Sequence, residues 1–189
     1  MKFAIYLSSI FILLGISVKS QSVIEPKEGF TPQIGILVAM LEDLKMRVTY
    51  NVQNLTQEET DFLMDEDANR MGALIMHLAA TEKYYQNLTF ENRGFNPEER
   101  KQGFQKASDL GKSARKEFKD KPMDYYLKIW DEVRAETLAM LKTKDDEWLN
   151  AKVGESQMNN FYAWYHVMEH QANHMGQIAL IVKRLPKRR

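Results

Sequence analysis

Three of the four histidines in this chain fall in one nine-residue stretch, HVMEHQANH, as His166, His170 and His174; the fourth is His77. Three neutral imidazoles around one point, with a fourth position open, make a catalytic type of divalent-metal site. Zinc fits such a site best by ligand type, and nickel, iron(II) and copper(II) are also compatible. At the open position an ion activates a water, or a substrate oxygen or sulfur. The chain contains no cysteine, which removes thiolate ligands, disulfides and cysteine nucleophiles together. Any metal here must be held by His, Asp or Glu.

Helical geometry ranks the histidines. Each residue of an α-helix turns about 100° and rises about 1.5 Å, so His166 and His174 stand about 12 Å apart along the axis, too far for easy convergence. Neighbours at i and i+4 lie about 6 Å apart and can share an ion. On a helix from about Ser156 to Leu185, Ala163, Trp164, Val167, Met168, Met175, Ile178, Ile181, Val182 and Leu185 form the apolar face. Glu169, Asn173, Lys183 and Arg184 mark the wet side. His174 and His170 fall within or beside the apolar face, and His166 falls on the polar margin. The pair His170 and His174 is therefore the better chelate, and His166 with His170 the weaker rival. His166 by itself reads as a surface or supporting residue.

The third ligand comes from a helix over about Ala68 to Phe90. His77 shares its apolar side with Ala73, Leu74, Leu78, Tyr84, Tyr85 and Leu88, while Lys83, Gln86 and Asn87 point away. If this helix packs on the last one, His77 meets His170 and His174. Glu82 and Gln177 are candidates to hold a ring N–H or a ligand from outside. Tyr84, Tyr85, Trp164 and Tyr165 are candidate pocket residues, although core packing explains them equally well.

The remaining elements are also helical, because no segment shows strict period-two alternation. One helix opens at Pro32 with Thr31 as N-cap and ends near Asn54, followed by the polar connection TQEETDFLMDED. The charged stretch from Asn96 to Lys121 accommodates a short helix from Pro97 and contributes little core. Another long helix runs from Pro122 to about Lys142, burying Tyr126, Ile129, Trp130, Val133, Thr137 and Met140, and DDEWLNAKVG reads as a loop. These elements predict an all-α fold, a four-helix bundle with one extra short helix, over residues 32–189.

Basic and acidic residues balance at 26 each, so no electrostatic footprint for nucleic acid is present. The first twenty residues, MKFAIYLSSIFILLGISVKS, pair Lys2 with an uncharged apolar run from Phe3 to Val18. They read as a signal peptide (residues 1–20) cut after Ser20, with residues 21–31 as a tether. The mature domain is then secreted or periplasmic, without stable membrane association; the competing reading is an uncleaved anchor. HQANH has zinc-protease spacing but carries Gln171 where that motif needs its glutamate. No Glu-x-x-His pair, glycine-rich phosphate loop or G-x-S-x-G elbow occurs. Sequons of type NLT stand at Asn54 and Asn87.

The lines HLAATEKYY and YAWYHVMEHQANHMGQIAL resemble the DinB-like family, the DinB/YfiT-type metal-binding bundles, and the resemblance covers most of the mature chain. It implies a four-helix bundle with a divalent metal held by His77, His170 and His174. His166 matches a histidine often found one turn earlier, and Gly176, Gln177 and Ile178 match a Gly-Gln-Ile ending. Met175 stands where an arginine is usual. Characterised relatives include thiol-dependent transferases and isomerases, which use the metal to activate a small thiol. A secretory leader argues against that chemistry, since small thiols are mainly intracellular. The resulting expectation is an exported metal-dependent hydrolase or group transferase acting on a small molecule, with homodimerisation compatible. Its alternatives are a non-catalytic metal-binding or structural bundle and a metal-free helical interaction domain.

Overall fold

The computed structural model describes residues 23–186. The leader, its cut after Ser20 and the first two tether residues lie outside the described residues. Within them run α1 (Pro32–Val52), α2 (Gln57–Thr60), α3 (Met71–Glu91), α4 (Pro97–Lys101), α5 (Phe104–Asp109), α6 (Gly111–Glu117), α7 (Met123–Leu141), α8 (Asp146–Asn150) and α9 (Asn160–Arg184). The four long helices are the four that the apolar periodicity predicts, so the all-α bundle stands. None of these helices is long and apolar enough to cross a membrane.

α3 is the central element. Every side chain from Met71 to Glu82 is buried, as a helix enclosed on all sides requires. It packs against α5, α7 and α9, while α1 packs against α9, α8 and α7. One apolar cluster gathers Leu74 and Leu78 of α3 with Tyr126 and Trp130 of α7 and Phe104 of α5. A second joins Ile34 and Leu41 of α1 to Trp164 and Val167 of α9. Approach of α7 to α3 is close at Gly72, where an added Cβ would sit 2.4 Å from the Tyr126 ring. Gly72→Ala is therefore expected to lower the unfolding free energy by about 1–3 kcal/mol through overpacking. The urea midpoint reads this directly, and an unchanged midpoint would show that Tyr126 yields freely.

Gln86 and Asn87, expected to point away from the apolar side of α3, are instead fully buried, because α7 and Glu99 supply them with hydrogen-bond partners. The structure departs from the sequence expectation in three further places. First, the stretch from Asn96 to Lys121 forms α4, α5 and α6, and buries Phe104, Ala107, Ala114 and Phe118. Apart from the buried Glu99, its charges face water while these apolar residues recur at helical spacing. Gly103 and Gly111, at φ 95° and 69°, break the run into short helices, of which α5 lies on α3 while α4 and α6 flank α5. Second, DDEWLNAKVG contains α8, capped where the Asp145 carboxylate accepts from the Trp148 amide at 2.8 Å. Together with α2, the short helices number five where one was expected. Third, Thr31 occupies the N-cap position of α1 but its hydroxyl bonds to Asp146 instead of its own helix. The Asp146 carboxylate accepts from the amides of Gln33 and Ile34, both at 3.2 Å, so a distant residue caps α1. Burial pushes that carboxyl up, but these hydrogen bonds outweigh it and hold it below the usual range.

The tether is pinned on α1: the Lys27 amide donates to the Gly35 carbonyl at 3.2 Å. Of the two sequons, the one at Asn87 is sealed, because that side chain is fully buried and its Nδ2 donates to Glu99 at 2.9 Å.

Candidate metal centre

The three histidines ranked as ligands come together between the centre of α3 and the middle of α9. One ring nitrogen from each of His77, His170 and His174 can be chosen so that all lie within 4.8 Å of one another. Ring centroids are 4.7 Å apart for His77 and His170, 4.7 Å for His77 and His174, and 4.5 Å for His170 and His174. His77 and His174 are buried and His170 is partly exposed, so the group has a solvent-facing side.

Hydrogen bonds orient two of the rings. The Ala107 carbonyl, on α5, lies 2.8 Å from His77 Nδ1. A carbonyl only accepts, so Nδ1 carries the proton and Nε2 keeps its lone pair. That Nε2 lies 2.7 Å from His170 Nε2. His174 Nδ1 likewise donates to Gln177 Oε1 at 2.9 Å, one turn further along α9, leaving its Nε2 as the donor to a cation. Thr81, one turn after His77 on α3, places its hydroxyl 3.3 Å from His170 Nε2.

Burial disfavours protonation of all three. It pushes His77 down to about 4, with the nearby His174 adding to the effect and the Ala107 hydrogen bond opposing it. It pushes His170 down to about 3, helped by the other histidines, and lowers His174 as well. At neutral pH the site therefore offers three uncharged imidazoles, the protonation state that binds metal. The chemistry of this donor set fits a divalent cation of the zinc, nickel or iron kind.

His166 stays at the edge. Its ring centroid is 5.7 Å from that of His170 and its Nδ1 lies 3.7 Å from the Glu169 carboxylate. Of the two outer partners expected from the sequence, Gln177 reaches one of the three histidines and Glu82 does not. Glu82 faces away, towards α7, where Arg134, Thr137 and Trp130 all donate to it at 3.0 Å or less. Five residues after His77 corresponds to about 140° round the helix, so Glu82 and His77 cannot face the same way. Thr81, at i+4, was the residue this register selects. The Ala107 carbonyl had no readable signal, since it depends on how α5 docks. Trp164 is fully buried in the α1–α9 cluster and lines no part of the histidine site. Tyr84 and Tyr165 are exposed, and the Tyr85 ring lies 5.6 Å from that of His166, tilted by 47°.

Cavity size alone does not locate this site. An apolar groove of about 370 Å³ lies between α1 and α9, lined by Ile36, Met40, Phe161 and Met168 and by none of the histidines. The donor set, not the volume, marks the functional place. No curated protein matches the chain. The mycothiol-S-transferase family model matches residues 36–185, a span running from α1 to the end of α9 and containing all four histidines. With its bundle fold and its three converging imidazoles, this chain belongs to the mycothiol-S-transferase family, within the DinB/YfiT-like superfamily.

Proposed function

We propose that this protein is a metal-dependent transferase in which His77, His170 and His174 hold a divalent cation and a small thiol is the group donor. The observation that carries the reading is the open donor set. Among the described residues, the three histidines form a group that no fourth histidine or carboxylate joins, which leaves room for a ligand from outside. A closed four-ligand site would instead have supported a structural ion. The family match supports transfer of a thiol. A bound divalent cation would supply the Lewis acidity that favours thiolate over thiol.

The chain's own residues prepare that site. Ala107 and Gln177 hold the Nδ1 protons of His77 and His174, so both rings present Nε2 without tautomer exchange. Desolvation keeps the rings neutral, and α3 and α9 give them a rigid backing. A second reading, a hydrolase acting without a thiol, is favoured by the apolar leader. Export after cleavage at Ser20 would place the mature domain outside the cytoplasm, where small thiols are scarce.

One experiment separates these readings. Purified protein is loaded with zinc, nickel or iron(II), and metal per chain is measured by mass spectrometry. An activated aryl chloride is then offered with and without a small thiol, and an aryl ester without thiol. Thiol-dependent release of chloride that ends on chelation is the expected result. Chelator-sensitive ester cleavage without thiol would instead establish the hydrolase. Loaded protein that turns over neither would overturn the catalytic reading.

A further inference from the structure

We infer that the Thr81 hydroxyl donates a hydrogen bond to the sulfur of the small thiol when that thiol takes the open position beside His77, His170 and His174. This rests on the proposed function, which makes a thiol the outside ligand. Ala107 and Gln177 reach the outer Nδ1 atoms of their rings. Thr81 reaches an inner one: its Oγ1 lies 3.3 Å from His170 Nε2, the nitrogen that faces His77 Nε2 at 2.7 Å. Thr81 therefore stands on the inner side of the group. The solvent-facing side is at His170, the one ligand left partly exposed, so the hydroxyl meets the ring beside which an outside ligand enters.

That contact does not survive loading of the site. His77 Nδ1 holds the proton of its neutral ring, so the proton between the two Nε2 atoms sits on His170, where Thr81 Oγ1 shares it. Once His170 Nε2 ligates a cation, that proton is gone and the only lone pair on the nitrogen is used. Neither donor nor acceptor then remains there for the hydroxyl of Thr81, which is buried. A buried hydroxyl without a partner is costly, so it needs another acceptor. For a threonine inside a helix the usual one is the carbonyl four residues back. Thr60, Thr89 and Thr137 bond in this way to Thr56, Tyr85 and Val133, at 2.9, 2.6 and 3.2 Å. Thr81 turns its hydroxyl to His170 instead. A small thiol that gives its S–H proton to solvent leaves a sulfur anion with lone pairs to accept from it. A charge-assisted hydrogen bond of that kind is stronger than one between neutral groups.

The test uses the whole chain loaded with cobalt(II), which accepts the same donor set as zinc and reports a sulfur ligand by a near-ultraviolet charge-transfer band. Two probes, 2-mercaptoethanol and imidazole, are titrated, and cobalt per chain is measured by mass spectrometry. Imidazole bound through one nitrogen keeps no lone pair for a hydroxyl, so it reads the site without the proposed hydrogen bond. Thr81→Val, which replaces the hydroxyl by a methyl group, is expected to weaken mercaptoethanol by about 10- to 100-fold and to leave imidazole affinity unchanged. Thr81→Ser, which keeps the hydroxyl, should bind both probes as wild type does. Equal affinity for mercaptoethanol in wild type and Thr81→Val would overturn the hydrogen bond and leave a thiol transferase standing. Three further results would overturn it too, because each assigns Thr81 to packing or to holding His170. They are an equal loss in Thr81→Ser, a parallel loss of imidazole, and cobalt content that falls in Thr81→Val. Wild type that takes up no cobalt, or cobalt and imidazole but no mercaptoethanol, would sink the proposed function and the hydrogen bond with it.

Discussion

His170→Ala is expected to abolish stoichiometric metal binding, weakening affinity by more than the roughly 10- to 100-fold typical of losing an outer partner. His170 links the group, since it stands one turn before His174 on α9 and its Nε2 lies 2.7 Å from His77 Nε2. Without it, His77 and His174 come from different helices and share no i, i+4 pair. Two imidazoles then hold an ion against all the competition of water. The loss extends to stability, because a cation bound only by the native state adds about 2.7 kcal/mol at a free concentration 100 times its Kd. Added zinc should raise the melting temperature of wild type and leave that of His170→Ala unchanged. His166→Ala should keep one ion per chain, since its ring stands outside the group. Titration with a chromophoric chelator and mass spectrometry read both variants. One ion per chain retained in His170→Ala, or lost equally in His166→Ala, would assign the ligands wrongly.

Much of this site was legible from the residues because a helix converts spacing into direction. His170 and His174 fell beside the apolar face of α9, and His77 fell on the apolar side of α3. Those two faces meet for the ordinary reason that both must be buried. The limits have the same origin. Trp164 shares an element with the ligands but points about 200° away from His166, into the other apolar cluster. Ala107 sits in a segment whose lysines and glutamates mask an apolar spacing of Phe104, Ala107, Ala114 and Phe118. That spacing is interrupted at Gly111, so it does not read as one helix. A backbone carbonyl from a docked short helix leaves no trace in residue type at all. The Asp146 cap on α1 is similar: a side chain more than a hundred residues away replaces the local Thr31, and only the tertiary fold brings them together.

Arg134→Met is expected to destabilise the protein by about 3–5 kcal/mol, the cost of leaving a buried carboxylate without its partner. Arg134 joins all four long helices. Its Nε and Nη2 donate to Glu82 on α3 at 2.7 and 2.9 Å. Its Nη1 donates to the Leu41 carbonyl and to Glu42 on α1, both at 2.8 Å. Gln171, between His170 and His174 on α9, donates to the same Glu82 carboxylate at 3.2 Å. Glu82 is fully buried, and burial alone would push its carboxyl up. The charge of Arg134 and the hydrogen bonds from Arg134, Thr137 and Trp130 outweigh that and hold it below the usual range. The sign of the pH effect follows. A carboxyl whose folded pKa is depressed contributes stability above its unfolded value of about 4.5, and loses it as pH falls through the folded value. Removing the guanidinium raises the folded pKa, so the variant takes up a proton at higher pH than wild type. The gap between the two urea-unfolding free energies should therefore be widest near neutrality and should narrow below about pH 5. Glu82→Gln in the Arg134→Met background removes the stranded charge, so the double variant should lose less than the sum of the single losses. A gap that stays constant from pH 7 to the acid limit, or strictly additive losses, would mean that the pair is not the keystone its hydrogen bonds describe. Gln171 ties this network to the helix that carries His170 and His174. Arg134→Met should accordingly weaken metal binding as well, and by less than His170→Ala, because the rings remain while their backing loosens.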